Sequence, residues 1–141
     1  MLLTLDCKAI KEVTTTFYNI MVVGAGGVVG ANTRFYLSRW IASKTDSSLP
    51  YGTLVINVTG CFVMGLFMTL FKSLHLSDTL RLLIAMGFTG AYTTYSTFEF
   101  ETFALVQDGQ FRRAAANFLF SFFLGFAALA LGVFAARLVT A

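Results

Sequence analysis

The chain is short of charge. Of its 141 residues, ten are Lys or Arg and seven are Asp or Glu, so 12% are charged, against ~25% in an ordinary soluble domain. That leaves too few charged side chains to coat a soluble globule. A net charge of only +3 and low polarity also exclude a disordered chain and a nucleic-acid-binding module. Proline occurs once and cysteine twice. Two cysteines do not make a disulfide framework, and Cys61, inside an apolar run, reads as a small buried thiol. The single histidine, His75, lies in a loop and reads as a surface residue. There is no Ser-His-Asp set, no metal-spaced His cluster and no dinucleotide fingerprint. Hydrolytic and redox chemistry are therefore disfavoured. No acidic residue lies at the centre of any apolar run, which counts against a proton-coupled exporter built on a buried carboxylate.

What is abundant is apolar surface. The hydrophobic fraction is 57%, mean hydropathy is +0.75, and sixteen residues are Phe. These values predict an all-α integral membrane protein. Four runs reach the ~20 residues that a spanning helix needs: about 17–40, 51–71, 79–106 and 114–138. Pro50 precedes the second, where a helix start tolerates it. Ser77 and Asp78 are suited to cap the third. Tyr18, Trp40 and Tyr51 fall near predicted membrane edges, as an aromatic belt would. Residues 1–16 lack the uninterrupted apolar core of a cleaved signal. They read as an interfacial or flexible leader.

Four spans place Lys8, Lys11, Lys72, Arg81 and Arg137 on one side and Arg34, Arg39, Lys44, Arg112 and Arg113 on the other. This even split gives the positive-inside rule almost nothing to act on. A chain without bias inserts in both orientations, and two opposed copies can then meet as an antiparallel homodimer. A single orientation is the plainer alternative.

Polar residues at membrane depth are costly unless paired or lining a cavity. The second run places Asn57 beside Gly60, Cys61 and Met64 on one helical face. The fourth carries Asn117, Ser121 and Gly125 at intervals of four, continued by Ala128 and Gly132. Small residues on one face let another helix approach closely, and interhelical hydrogen bonding alone would also account for a single Asn or Ser. Gly24, Gly26 and Gly30 in the first run read as packing glycines, because no strand precedes them.

The third run is the least regular. Gly87, Gly90, Thr93, Thr94, Ser96 and Thr97 crowd the eleven positions 87–97, and such a stretch is a poor helix. The spacing predicts a helix broken near its middle, tolerated only inside protein or beside water. Freed carbonyls at such a break suit a cation. Beyond it, Tyr95 and Phe98 share a face if the helix resumes. A ring pair is ordinarily packing. Beside a break and several hydroxyls, its electropositive edges also suit an anion.

These residues carry a resemblance. Gly30-x-x-x-Arg34-Phe35, Gly52-Thr53-Leu54-x-x-Asn57-x-x-Gly60 and Gly87-Phe88-x-Gly90-x-x-Thr93-Thr94-Tyr95-Ser96-Thr97-Phe98-x-x-Glu101 together resemble the Fluc (CrcB) fluoride channels of microbes. The likeness covers nearly everything after residue 18. It implies a cell-membrane channel that exports fluoride passively from the cytoplasm and lowers its toxicity. It implies a dual-topology homodimer with two pores, embedded in membrane lipid, and a structural sodium ion held by the backbone carbonyls of Gly90 and Thr93. Pore roles fall by resemblance to Asn57, Tyr95, Phe98 and Ser121, with Thr94, Ser96 and Thr97 as nearby hydroxyls. Asn117 takes the first place of the fourth-span polar track, where Tyr is common in the family. Arg34 takes a vestibule position. Tyr95 stands where Phe is usual, and the leader is longer than the family's. Two other classes compete: a secondary transporter coupled through Glu101, and a membrane adaptor whose glycine stripes serve assembly alone.

Overall fold

The computed structural model describes residues 2–45 and 49–140, with side chains described from Lys8 onward. Residues 46–48 of the first loop and the side chain of Cys7 lie outside the described residues. Every regular element among the described residues is helical. The first helix, α1, spans Leu2–Ala42, 41 residues. It passes through the expected first span and continues back through the leader without a break. At 1.5 Å per residue it is about 60 Å long, roughly twice the ~30 Å hydrocarbon core of a bilayer. The leader contains neither Gly nor Pro, and the hydroxyls of Thr14 and Thr16 donate to the carbonyls of Ile10 and Glu12 at 2.8 Å each. Side chains 8–16 are exposed.

Helix α2 spans Tyr51–Ser73, with Pro50 at its N-cap as expected. Its C-terminal end turns on His75, whose φ of 51° lies in the left-handed region. That turn lets the Leu76 N–H donate to the Phe71 carbonyl at 3.2 Å, the six-to-one bond of a Schellman cap. Helix α3, residues 78–92, begins at Ser77, whose hydroxyl accepts from the Leu80 N–H at 3.4 Å. Asp78 instead pairs with Arg81 at 3.1 Å. From Arg81 to Thr89 the helix is wound in the wider π form, and the Gly90 N–H reaches the Ala85 carbonyl.

The expected interruption falls at Thr93 and Thr94, both extended, with φ/ψ of −79/156° and −150/109°. Helix α4 then spans Tyr95–Gln107 and ends in a Schellman cap on Gly109, φ 70°. Helix α5 spans Phe111–Thr140. Helices α1, α2 and α5 are each long and apolar enough to cross a membrane. The expected third run is divided between α3 and α4, each shorter than the ~20 residues of a span.

The most extensive packing joins α2 to α5, followed by α1 to α3. Glycines make both contacts possible. A Cβ on Gly30 would strike the Phe88 carbonyl oxygen, and one on Gly26 the Leu83 carbonyl oxygen. Gly65 meets the backbone of Leu129 in the same way, and Gly132 that of Phe62. The small-residue stripe expected on the last helix is the buried one: Ala114, Asn117, Gly125, Ala128, Gly132 and Ala136 are all buried there. Large side chains point the other way, with Phe120, Phe123, Phe126 and Phe134 more than half exposed on a single chain. An apolar exterior around a small-residue interior is the arrangement of a membrane protein, whose outer surface meets lipid or a partner helix.

Candidate functional site

The break between α3 and α4 frees peptide groups that a continuous helix would pair. Asn57 on α2 meets them. Its Nδ2 donates to the Thr94 carbonyl at 3.1 Å, and its Oδ1 accepts from the Thr94 N–H at 2.8 Å. Thr94 also caps α4: its hydroxyl accepts from the Thr97 N–H at 3.3 Å and donates to Thr97 Oγ1 at 2.8 Å. Thr93 is tied back to Thr89, whose carbonyl accepts both the Thr93 N–H at 3.0 Å and its hydroxyl at 2.9 Å. Among the described residues no N–H is directed at the carbonyls of Gly90, Ala91, Tyr92 or Thr93.

Beside this knot lies a cavity of about 520 Å³. Asn57, Gly60, Cys61 and Met64 line it from α2, Thr89 from α3, Thr93 and Thr94 from the break, Tyr95 and Phe98 from α4, and Phe118, Ser121, Phe122, Gly125 and Leu129 from α5. No lining side chain carries a charge. Five of the residues expected at a pore therefore come together: Asn57, Thr94, Tyr95, Phe98 and Ser121. The Tyr95 and Phe98 rings are 5.8 Å apart, centre to centre, at 45°. Phe98 is also stacked on Phe118 at 6.3 Å. The Ser121 and Thr89 hydroxyls are buried and have no hydrogen-bond partner among the described residues.

Thr93 borders the same cavity, and the remaining expected residues stand apart. Asn117 is buried beyond this cavity and donates to Thr102 Oγ1 at 2.8 Å. The Thr102 hydroxyl in turn donates to the Phe98 carbonyl at 2.7 Å, so one hydroxyl links Asn117 to the Phe98 backbone. Ser96 is exposed and lines no described cavity, and Gly90 is exposed at the protein surface. Thr97 and Arg34 line a second cavity of about 270 Å³ with Ser38, Arg39, Thr53 and Thr94. Thr94 borders both cavities. Arg34 has no acidic partner among the described residues, while the Arg39 guanidinium lies 5.3 Å from the centre of the Phe35 ring. Thr53 donates to Glu101 Oε1 at 2.9 Å.

Sequence reasoning passed over Thr89, Phe118 and the Thr53–Glu101 pair. Phe118 is one of sixteen Phe residues and had no distinguishing spacing. Thr53 was visible only as part of a longer motif, and Glu101 was singled out only as the coupling residue of a transporter, not as a partner of Thr53.

Residues 21–133 match the family profile described as CrcB-like protein, Camphor Resistance (CrcB). This chain belongs to the CrcB family. A fluoride-specific ion channel FluC of Roseiflexus sp. (strain RS-1) is 44% identical over 122 residues, covering 86% of this chain and 98% of that protein. The FluC of Synechococcus sp. (strain JA-2-3B'a(2-13)) is 44% identical over 117 residues, 82% of this chain and 90% of its own. That of Trichlorobacter lovleyi reaches 50% over 93 residues, 65% of this chain and 74% of its own. CrcB relatives are channels and not enzymes. With its apolar helices, this CrcB chain is a multi-pass protein of a bacterial cell membrane.

Proposed function

We propose that this chain is a fluoride-selective passive channel that lets fluoride leave the cytoplasm. The observation that carries this reading is the uncharged cavity lined by unpartnered hydroxyls and an aromatic pair. Fluoride is small and strongly hydrated, so a pore has to replace its water with donors. Hydroxyl O–H groups donate, and phenyl edges add a weak positive field. Such a lining binds an anion firmly enough to admit it and weakly enough to release it. The FluC relatives support the choice of ion.

In this reading α3 and α4 together form a fourth span broken at Thr93 and Thr94. The even charge split supports dual insertion, and the exposed Phe-rich faces support an antiparallel homodimer with two pores. The uncommitted carbonyls of Gly90 and Thr93 fit a structural sodium ion, because hard cations take oxygen ligands. Sodium would supply positive charge against carbonyl dipoles that the break leaves without donors.

The test is anion efflux from liposomes holding the purified protein. Fluoride efflux well above chloride efflux, and insensitive to a pH gradient, is expected. Absence of fluoride efflux overturns the channel, and efflux that follows the proton gradient points to a coupled transporter. Two added Lys residues beside Lys11 should lock one orientation and abolish flux until an oppositely locked copy is supplied. Full flux from the locked copy alone overturns the antiparallel dimer.

A further inference from the structure

Seven threonine hydroxyls in these helices, and that of Thr93 at the break, bond back along the chain. Thr14, Thr16, Thr33, Thr59, Thr69, Thr93, Thr102 and Thr140 each donate to the carbonyl four residues back. Thr89 is different. It lies in the π-wound turn, where the Ala85 carbonyl, four residues back, takes the Gly90 N–H, and its own hydroxyl makes no bond to that carbonyl. The Thr89 carbonyl is itself engaged twice, by the Thr93 N–H and hydroxyl. The residue is held firmly, 2% exposed, with its Oγ1 buried and unpartnered at the cavity wall. A buried hydroxyl without a partner calls for an explanation. A local π bulge is a frequent mark of a functional site.

We infer that the Thr89 hydroxyl, unpartnered at the π-wound end of α3, is a specificity-determining donor to the permeating anion. The inference rests on the channel reading above. It adds a donor from α3 to the Ser121 hydroxyl of α5, so an ion in the cavity meets O–H groups from two helices. A dehydrated small anion gains more from a second donor than a large one does, because its charge is more concentrated.

The experiment compares wild type with Thr89→Val, Thr89→Ala and Thr89→Ser, each purified, checked by size exclusion and reconstituted for fluoride and chloride efflux. Val preserves the shape, Ala removes both branches and Ser keeps the hydroxyl. The expected result is a fall in fluoride efflux of about ten- to a hundred-fold for Val and Ala, the weight of one hydrogen bond to a charged group. Chloride leak should not fall with it, and Ser should restore most of the fluoride rate. Wild-type fluoride efflux matched by Val or Ala overturns this inference and leaves the channel reading standing. A wild type without fluoride efflux overturns both. If Val and Ala both lose the wild-type assembly while Ser keeps it, the hydroxyl serves the fold and the inference is overturned.

Discussion

Asn57 pairs with Thr94 as a neighbouring strand would, donating to its carbonyl at 3.1 Å and accepting from its N–H at 2.8 Å. Thr94 is in strand conformation, so the carboxamide stands in for a missing peptide group. One side chain on α2 thus satisfies both polar groups of the residue at which the α3–α4 segment opens. The amide expected to face a fluoride ion also holds the break in place.

Asn57→Leu should therefore do more than remove a donor. It leaves the Thr94 peptide groups unpaired in a buried setting, at about 1–3 kcal/mol for each buried group left without a partner. We expect fluoride efflux to collapse and the thermal midpoint in detergent to fall together. Loss of flux with an unchanged midpoint would limit Asn57 to the pore. An unchanged flux would remove it from the site.

Phe98 separates packing from electrostatics. It is 7% exposed and lies between Tyr95 and Phe118. Phe98→Ile keeps apolar bulk and should cost under ~1.5 kcal/mol of stability, but it removes the electropositive ring edge. The expected outcome is a folded assembly by size exclusion with fluoride efflux nearly abolished. Near-normal efflux would refute an aromatic role there. Tyr95→Phe should conduct, because the ring and not the hydroxyl is assigned the role.

The glycines of α1 are not equivalent. Gly30→Ala places a Cβ against the Phe88 carbonyl oxygen, a backbone atom with nowhere to go. It should lower stability by about 2–3 kcal/mol and disrupt the seating of α3. A methyl group on Gly24 would meet nothing within 4 Å. Gly24→Ala should be neutral, or stabilising by about 0.5–1 kcal/mol through helix propensity. Thermal midpoints of the two variants decide it, and equal effects would contradict the packing described.

Two helix ends use the same cap with different residues. Gly109 occupies the left-handed position after α4, and His75 occupies it after α2. An L-residue there costs about 1–2 kcal/mol relative to glycine. His75→Gly should raise the thermal midpoint, and Gly109→Ala should lower it, with fluoride efflux unchanged in both. A destabilised His75→Gly would mean that the imidazole contributes more to that turn than its backbone strain removes.

Class, break and stripe were legible in residue order because each depends on local composition. Scarce charge and long apolar runs require a membrane whatever the packing. Gly and Thr crowded around residue 93 weaken a helix before any neighbour is present, and the break lies there. Small residues at intervals of three and four share a face by helical geometry alone, so the buried side of α5 followed from Asn117 to Gly132, and the structure extends it to Ala114 and Ala136.

Partner choice was decided only in three dimensions. Asn57 and Asn117 look alike in sequence, two amides each on a small-residue face. The approach of α2 to the break gives one to the Thr94 peptide, and the position of α4 gives the other to Thr102. Ser96 and Thr97 share the Thr-rich motif with Thr94, but Ser96 is exposed and Thr97 faces the cavity of Arg34. Thr89 has no local signature, because its buried, unpartnered hydroxyl stands out only once the helices are packed. Periodicity specifies which face of one helix a residue occupies. Which groups meet depends on where helices distant in sequence approach one another, and here glycines such as Gly30 and Gly132 let backbones touch and set those approaches.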